Sequence, residues 1–428
     1  MFEQTIISNA AAGISDAELK AAMQSALAGF GKPVKKLLLI PPDFTRFHSG
    51  AGKITAILYD MLKDTCHIDI LPALGTHEPM TEKECAEFFG PRVPYSALIV
   101  HDWRNDIVKL GEVPGSFVKE VSEGIMDTPI DVELNKRILD KSYDLIISIG
   151  QVVPHEVVGM ANYSKNLFVG CGGSSMINTS HMLGAFYGME RMMGKDATPV
   201  RRVFDYAQEH FIKDLPLLYV LTVTTAPEGK AVIHGLFTGI ERGRFEEAVK
   251  LAQEKNLIFM ERPMQKAVVY LDESEFKSTW LGNKSIYRTR MAIADGGELV
   301  VIGPGVSKFG EDKQNDALIR KYGYIGRENI LRLTKEREDL QQNLSVAAHL
   351  IHGSSDGRFG ITYAAGKLTK EEVEGAGFKY MPIEEALARY NVASLKDGFN
   401  TLPDGEEIYY ISNPALGLWA DRKKFEAK

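Results

Sequence analysis

Short apolar runs alternate with segments of helical spacing along the first part of the chain. Lys36–Ile40 is an apolar run halted by prolines, apolar residues recur at helical spacing over 54–62, and 67–74 is a second apolar run. This β-α-β rhythm predicts a parallel sheet covered by helices. Capping-box sequences at 15–18 and 81–84 predict the starts of two further helices.

The pattern continues to a predicted boundary near 261–263. Further strands are predicted at 97–100, 144–150, 166–169, 217–224 and 231–237, and helices at 177–193 and 245–254, while 112–131 yields no assignment. Beyond the boundary we predict strands at 267–271, 298–303 and 408–410, and helices at 284–294, around 317 and at 340–351. The predicted fold class is therefore α/β, with two α/β domains of mainly parallel sheets at 1–262 and 263–428. The last residues are placed either in the second domain or back on the first.

Polar residues follow three of the predicted strands directly. The Asp43 to Arg46 segment comes after the first strand, Gly75 to His77 after the second, and His155 shortly after the strand at 144–150. Open parallel sheets present their ligand-binding residues at the carboxyl ends of the strands. We therefore expect these segments to lie on one edge of the sheet.

The stretch 152–184 concentrates groups that carry chemistry. It places His155, Lys165 and His181 around a glycine-rich turn that contains Gly170, Gly172 and Gly173. Neutral imidazole suits either general-base work or metal ligation, and the lysine suits either phosphate binding or covalent attachment of a cofactor. Backbone amides of the glycine turn could hold an anion. The turn lacks the GxGxxG pattern, which disfavours a conventional nicotinamide dehydrogenase.

Arg46 has two interpretations of equal weight. It lies three residues after Asp43, which is compatible with a local ion pair of little energetic value. The alternative is a planar guanidinium that binds a substrate carboxylate with two hydrogen bonds, with Asp43 fixing its orientation.

Composition excludes several classes of function. The net charge of −7 and isoelectric point near 5.9 give no basic footprint for nucleic acid or anionic lipid. Three scattered cysteines do not form a disulfide framework. The N-terminus lacks a signal-peptide pattern, and no apolar run reaches the length of a membrane span. A cytoplasmic location is expected.

In combination, these motifs resemble the nickel-pincer-dependent lactate racemase family. The resemblance rests on the 43–46, 75–77 and 154–155 motifs followed by Lys165 and His181. The interval from His155 to Lys165 is ten residues, and that from Lys165 to His181 is sixteen. The glycine-bearing segment 295–301 is similar to a later strand of the family.

The resemblance implies a set of roles. Lys165 would be covalently tethered to a nickel-pincer nucleotide, that is, nickel with pyridinium-3,5-bisthiocarboxylic acid mononucleotide, and His181 would ligate the nickel. His77 and His155 would be an acid/base pair and Arg46 would hold the substrate. Asp43 would orient neighbouring groups. Thr45 and the three glycines would contact the cofactor, which the family holds in an interdomain cleft and obtains from separate maturation enzymes.

The implied activity is racemisation or C2 epimerisation of a 2-hydroxy acid by proton-coupled hydride transfer, which avoids a carbanion next to a carboxylate. Tyr287 and Arg288 stand where the family reads its substrate, but arginine replaces glutamine at 288 and the following lysine is missing. Phe47 to Ser49 also replaces a proline-containing segment. A sugar acid of the gluconate/mannonate type is thus favoured over lactate.

Other interpretations stay open. Arg288 and Arg290 could lie on a solvated helix face, and the roles of Arg290 and His48 are not assigned. Lactate racemase proper, a histidine-ligated metal hydrolase and a non-catalytic anion-binding protein are the alternative functions. The sequence does not indicate an oligomeric state.

Overall fold

The computed structural model describes residues 3–426, except for the side chains of Glu228 and Leu416. The chain divides into two compact units. The N-terminal unit comprises Met1–Gly184 and Met192–Asn256, and the C-terminal unit comprises Ala185–Arg191 and Leu257–Lys428. The sequence predicts one boundary near 261–263. In the structure the chain changes unit after Asn256, and the short segment Ala185–Arg191 also groups with the C-terminal unit.

Ten strands and nine helices precede residue 257 in the described part of the chain. In chain order they are β1 (Gln4–Ile7), α1 (Asp16–Gly29), β2 (Lys36–Ile40), α2 (Ala51–Leu62), β3 (His67–Ile70), α3 (Glu82–Phe89), β4 (Ile107–Val113), α4 (Gly115–Val121), β5 (Ile130–Asn135), β6 (Leu145–Gln151), β7 (Pro154–His155), β8 (Gly159–Met160), α5 (Ser164–Phe168), α6 (Ser174–Tyr187), α7 (Met189–Met192), α8 (Pro199–Ala207), β9 (Leu217–Thr225), β10 (Val232–Gly239) and α9 (Arg242–Asn256).

The main sheet of the N-terminal unit has the order β1-β10-β9-β6-β2-β3. Strands β9, β6, β2 and β3 are parallel to one another. Strand β10 pairs antiparallel with β9, and β1 pairs antiparallel with β10. Leu37 and Leu39 of β2 pack with Ile147 of β6 in a core that also contains residues of α1, α2 and α3. Leu38 and Ile40, on the other face, are also buried, as expected for a parallel sheet covered on both sides. The predicted α/β class is confirmed.

Local sequence signals placed the helix starts correctly. Ser15 and Glu18 form a reciprocal capping box at α1, and Thr81 and Glu84 form another at α3. In each, the hydroxyl and the carboxylate satisfy backbone N–H groups that have no partner inside the helix.

Two predicted strands in this unit are wrong. Residues 97–100 follow a 3-10 helix, Tyr95–Ala97, and touch the sheet only through an isolated bridge between Ile70 and Leu98. Residues 166–169 fall mostly in helix α5. The apolar run in α5 is short and buried, and a run of that length does not distinguish a strand from a buried helical turn.

The C-terminal unit has eight strands and nine helices that begin after residue 256 in the described part of the chain. They are β11 (Leu257–Met260), β12 (Met264–Tyr270), α10 (Thr279–Gly282), α11 (Lys284–Tyr287), β13 (Ile293–Gly303), α12 (Lys313–Tyr322), α13 (Arg327–Glu336), α14 (Glu338–Gln341), α15 (Leu344–His352), β14 (Gly360–Ala365), α16 (Lys370–Gly375), β15 (Lys379–Tyr380), α17 (Ile383–Arg389), β16 (Gly398–Thr401), β17 (Glu407–Ile411), β18 (Leu418–Asp421) and α18 (Arg422–Glu426).

The main sheet of this unit has the order β15-β14-β13-β12-β17-β16, and every neighbouring pair is parallel except β16 with β17. The helix predicted at 284–294 ends at Tyr287, and the chain enters β13 at Ile293. Among residues 3–426, no helix is long and apolar enough to cross a membrane.

Candidate active site

The three predicted strand-end segments lie on one edge of the N-terminal sheet. Strands β6, β2 and β3 are adjacent and parallel, so the chain leaves all three at the same edge. Beyond the strands, Pro42 forms a parallel bridge with Ala73, which holds the Asp43 segment beside the His77 segment. The expectation that these segments share an edge is confirmed.

Asp43 and His77 form a carboxylate–imidazole pair. Asp43 is 5% exposed, its Oδ2 lies 2.5 Å from Nδ1 of His77, and its Oδ1 accepts a hydrogen bond from Thr45 Oγ1 at 2.5 Å. Burial alone would raise the pKa of Asp43, but the hydrogen bonds from His77 and Thr45 and the nearby charges of His77 and Arg46 lower it. An ionised Asp43 accepts the Nδ1 proton, which leaves a lone pair on Nε2 of His77.

The Arg46 side chain is exposed and makes no hydrogen bond or ion pair with the described residues. The local Asp43–Arg46 ion pair considered from the sequence is therefore absent, and only the Arg46 N–H bonds to the Asp43 carbonyl at 3.1 Å. The guanidinium charge nevertheless acts on Asp43, His155 and Lys165, lowering the pKa of each. Arg46 is thus available to an anion from outside the protein.

His155 lies in a short hairpin of β7 and β8 and is buried. Its Nδ1 accepts a hydrogen bond from the Val157 N–H at 3.1 Å, so the proton of the neutral ring is on Nε2. Burial is the main reason that the pKa of His155 lies well below its ordinary value; Glu156 opposes this, and the charges of Lys165 and Arg46 add to it. His155 is therefore a neutral hydrogen-bond donor at Nε2.

Lys165 is carried by α5, which is attached to the carboxyl ends of two strands. The neighbouring Asn166 donates from Nδ2 to the Ile40 carbonyl of β2 and to Ser148 Oγ of β6, each at 3.0 Å. The Lys165 side chain makes no hydrogen bond or ion pair in the described part of the chain. Burial, and next the charge of Arg46, lower the pKa of its amine to about 8. About a tenth of the amine is thus unprotonated and nucleophilic at pH 7, far more than for an ordinary lysine.

His181 lies on α6 and is half-buried. Its Nδ1 is 2.5 Å from the Ile177 carbonyl oxygen, which only an N–H can satisfy, so the free lone pair is on Nε2. Burial first, and then the charge of Lys165, lower the pKa of His181 to about 4, so the ring is neutral at pH 7. A backbone carbonyl bound to one nitrogen is the usual way in which a metal-binding imidazole is oriented.

The glycine turn is packed against protein on the side of its α-hydrogens. A Cβ on Gly172 would collide with the Phe168 carbonyl, and one on Gly173 would collide with the carboxylate of Glu133. Glu133 also accepts the Ser175 N–H at 3.1 Å, so a carboxylate of the protein already occupies this place at the start of α6. Close packing therefore requires glycine here, and the anion-binding role of the turn stays a prediction.

Two positioning groups were missed by the sequence reasoning. Glu133 and His101 both contact the glycine turn, since His101 Nε2 bonds to the Gly172 carbonyl at 3.1 Å and its Nδ1 accepts from Asn135 at 3.0 Å. Glu133 and Asn135 lie on β5, which pairs with β4 in a two-stranded ribbon. The two strands cover the ends of the stretch 112–131, for which the sequence predicted no element. No spacing signal in the sequence marks these residues.

The proposed substrate-reading residues lie in the C-terminal unit and are buried. Tyr287 is 8% exposed, Arg288 9% and Arg290 4%, so the interpretation of a solvated helix face is wrong. Arg290 is held by Glu190 at 2.9 Å and Asp356 at 2.8 Å, which explains it as a structural residue. Within the part of the chain that the structure describes, the Arg288 side chain makes one long hydrogen bond, 3.4 Å from Nη1 to the Gly417 carbonyl, and its buried Nε has no partner.

The residues of the N-terminal unit fit the implied cofactor. Lys165 offers an amine that no side chain occupies, and His181 offers one neutral ring nitrogen with its tautomer fixed. In the described residues no group of three or more His, Cys, Asp and Glu side chains is arranged to hold a metal. A single protein ligand is what a metal held mainly by a tethered organic group requires.

The chain is similar to known proteins in sequence and in fold. Residues 5–194 match the family model of the lactate racemase N-terminal domain. A crystal structure of a protein from Thermotoga maritima is similar with a TM-score of 0.78 and 22% identity, over 97% of this chain and 99% of that one. The lactate racemase apoprotein from Thermoanaerobacterium thermosaccharolyticum is similar with a TM-score of 0.70 and 16% identity, over 95% and 93% of the two chains. No curated protein matched.

The fold and the site define an α/β protein with histidines, a lysine and an arginine gathered at the carboxyl edge of a parallel sheet. Residues 5–194 match the lactate racemase N-terminal domain, and the chain as a whole has the fold of the lactate racemase apoprotein.

Proposed function

We propose that this protein is a 2-hydroxy acid racemase or C2-epimerase that works with a nickel-pincer nucleotide tethered to Lys165. One observation carries the proposal. Lys165, with a pKa of about 8, lies within electrostatic reach of His155 and of the neutral His181, and Asp43, which also acts on Lys165, is paired with His77. The match of residues 5–194 to the lactate racemase N-terminal domain supports racemase chemistry in general terms.

When bound, the nickel-pincer group supplies a reversible acceptor for hydride. The chain would hold it through the Lys165 amine and through Nε2 of His181, with Thr45 and the glycine turn as further contacts. The low pKa of Lys165 favours attachment because the unprotonated amine is the nucleophile.

The two histidines are unequal in this proposal. His77 has its Nδ1 proton bound to Asp43, so Nε2 can take the proton of a substrate hydroxyl and Asp43 stabilises the resulting imidazolium. His155 has Nε2–H directed by the Val157 bond at Nδ1, so it donates a hydrogen bond to the C2 oxygen. To act as a base at Nε2, His155 must give up its bond from Val157.

Arg46 supplies the charge that binds the substrate carboxylate. Its exposed side chain has no hydrogen-bond or ion-pair partner among residues 3–426, and a guanidinium binds a carboxylate through two parallel hydrogen bonds. Arginine in place of glutamine at position 288 favours a substrate with additional polar or anionic groups. A sugar acid of the gluconate/mannonate type meets this requirement better than lactate does.

The proposal is tested with protein produced together with the cofactor maturation enzymes. Pairs of 2-hydroxy acids, from lactate and malate to aldonates, are offered with deuterium at C2, and both epimers are quantified. We expect interconversion of an aldonate pair with deuterium retained in water, because hydride transfer does not exchange C2 hydrogen with solvent. Interconversion with complete loss of the label would contradict hydride transfer, and binding without turnover of any acid would indicate an anion-binding protein.

A matched control is available on the same strand. His67 lies at the start of β3, 66% exposed, with Nε2 3.2 Å from Asp69 Oδ1, and so forms a histidine–aspartate pair at the opposite end of the strand. His77→Ala should abolish turnover, while His67→Ala should leave it unchanged. Equal effects of both variants would contradict a specific role for His77.

A further inference from the structure

Arg201 is a buried arginine in α8 for which composition and spacing give no reason. Its side chain is 0% exposed, and no carboxylate lies within ion-pair distance of it in the described part of the chain. Its guanidinium lies 4.4 Å from the centre of the Phe245 ring, and its Nε has no hydrogen-bond partner. Burying a guanidinium without a contacting carboxylate is unfavourable, although the charges of Asp205 and Asp196 favour it from beyond ion-pair distance. The hydrogen bonds of the side chain therefore indicate what Arg201 does.

The hydrogen bonds of the Arg201 side chain all go to one short segment, residues 160–164. Nη2 of Arg201 donates to the Met160 carbonyl at 2.7 Å and to the Asn162 carbonyl at 3.1 Å, and Nη1 donates to Ser164 Oγ at 2.8 Å. Met160 is paired with Pro154 in the hairpin that carries His155, and Ser164 immediately precedes Lys165. Arg201 thus connects the hairpin that carries His155 to the start of the helix that carries Lys165.

The segment between them has an unfavourable backbone conformation. Asn162 and Tyr163 have φ angles of 64° and 57°, a region that residues with a side chain rarely adopt. Two such residues in succession persist only when surrounding contacts hold them. The bonds from Arg201 to Asn162 and to the flanking residues are contacts of that kind.

Helix α8 is itself fixed to the hairpin. Thr198, its N-cap, donates from Oγ1 to the Val158 carbonyl at 2.9 Å and accepts the Arg201 N–H at 3.1 Å. The Val158 carbonyl of the hairpin therefore holds the start of α8 through Thr198, and the Arg201 side chain bonds to Met160 of the same hairpin.

We propose that Arg201 is a positioning residue that fixes the distance and orientation between His155 and Lys165 by holding the turn at residues 160–164. The function of Lys165 as an anchor rests on the proposed function, but the effect of Arg201 on the turn does not. Its loss should release the turn and increase the exposure of the half-buried Lys165 side chain to water.

The test is made on the full-length chain produced without maturation enzymes. Lysines are modified with acetic anhydride over a range of pH, and the extent of modification at Lys165 is read by peptide mass spectrometry. The groups that act on its amine are Arg46, Glu156, Arg201 and Asp43. Amide exchange of peptides spanning 161–166 is measured in parallel.

Three variants separate position from charge. Arg201→Lys keeps the charge but loses the planar fork, Arg201→Met loses both, and Ser164→Ala removes only the acceptor of Nη1. Arg202→Met is the control, since Arg202 is half-exposed and pairs with Glu120 at 3.5 Å.

We expect a modification midpoint near pH 8 in the parent and in Arg202→Met. In Arg201→Lys and Arg201→Met it should rise by one pH unit or more, with amide exchange at 161–166 at least tenfold faster. A parent midpoint and parent exchange in a folded Arg201→Lys would overturn the proposal. If Arg201→Met does not fold, the proposal is tested with Arg201→Lys and Ser164→Ala. An unchanged midpoint of Lys165 modification in both variants would then contradict it.

This outcome is independent of the proposed function, because no cofactor or substrate takes part. A shifted midpoint without any racemase activity would support Arg201 as a positioning residue and count against the proposed function alone.

Discussion

Lys165 is a residue whose charged form the fold disfavours. Its pKa of about 8 in the folded protein is below the value of about 10.4 expected for an unfolded lysine. Between these values the unfolded chain binds more protons, so this group makes stability rise with pH, and below pH 8 the full destabilisation is present.

Replacement of Lys165 should therefore stabilise the protein at neutral pH. We expect Lys165→Met to raise the free energy of unfolding at pH 7 by about 1–3 kcal/mol, and the gain to shrink towards zero above pH 10. Urea unfolding at the two pH values measures this. Lys53→Met, which changes an exposed pair with Asp16, is the control. A gain that does not depend on pH would contradict the account of Lys165.

Asp43 should act through His77. In Asp43→Asn the carboxylate that accepts the Nδ1 proton is lost, so the ring can adopt the other tautomer and the imidazolium loses its counter-charge. We expect kcat of the cofactor-loaded protein to fall about 10²- to 10⁴-fold with a much smaller change in KM. Asp69→Asn, beside the exposed His67, should leave kcat within about threefold. Similar losses in both variants would contradict the assignment.

At the scale of elements, the glycine turn determines how α5 and α6 are joined. Gly172→Ala should lower the free energy of unfolding by about 1–3 kcal/mol, because its Cβ would meet the rigid Phe168 carbonyl. Gly243→Ala is the matched control, since it lies in α9 with open space around the added Cβ. Urea unfolding should show no loss for Gly243→Ala, and a stable Gly172→Ala protein would contradict the packing account.

Elements with a local signal were predictable, and those set by tertiary contacts were not. The capping boxes of α1 and α3 and the run of β2 carry their own signatures in sequence. Helix α5 does not, because the side chain of Asn166 and the left-handed Tyr163 decide its conformation through contacts with distant residues. The same holds for the helix predicted at 284–294, which the chain leaves to form β13.

At the scale of the molecule, the edge of the N-terminal sheet was predictable because parallel strand order follows from the β-α-β rhythm. Because parallel strands end at one edge of the sheet, the sequence alone predicted that the segments of Asp43, His77 and His155 lie together, and the strand order confirms it. The sequence could not show Glu133, His101 or Arg201, since each acts through a hydrogen bond between residues far apart in the chain.

The charge distribution of the molecule also bears on its substrate. The chain has a net charge of −7, yet the exposed Arg46 acts on the amine of Lys165, with Asp43 and Glu156 as the opposing charges. An exposed guanidinium attracts a small anion even on a protein with a negative net charge. Raising ionic strength should therefore raise KM for the hydroxy acid while leaving kcat nearly constant, and a kcat that falls with constant KM would contradict this view.

The most direct test of the central claim is the mass of the Lys165 peptide from protein produced with the maturation enzymes. We predict an adduct on Lys165 that disappears in Lys165→Ala together with all C2 epimerisation, while His181→Ala keeps the adduct and loses nickel. An active protein whose Lys165 is unmodified would contradict the account.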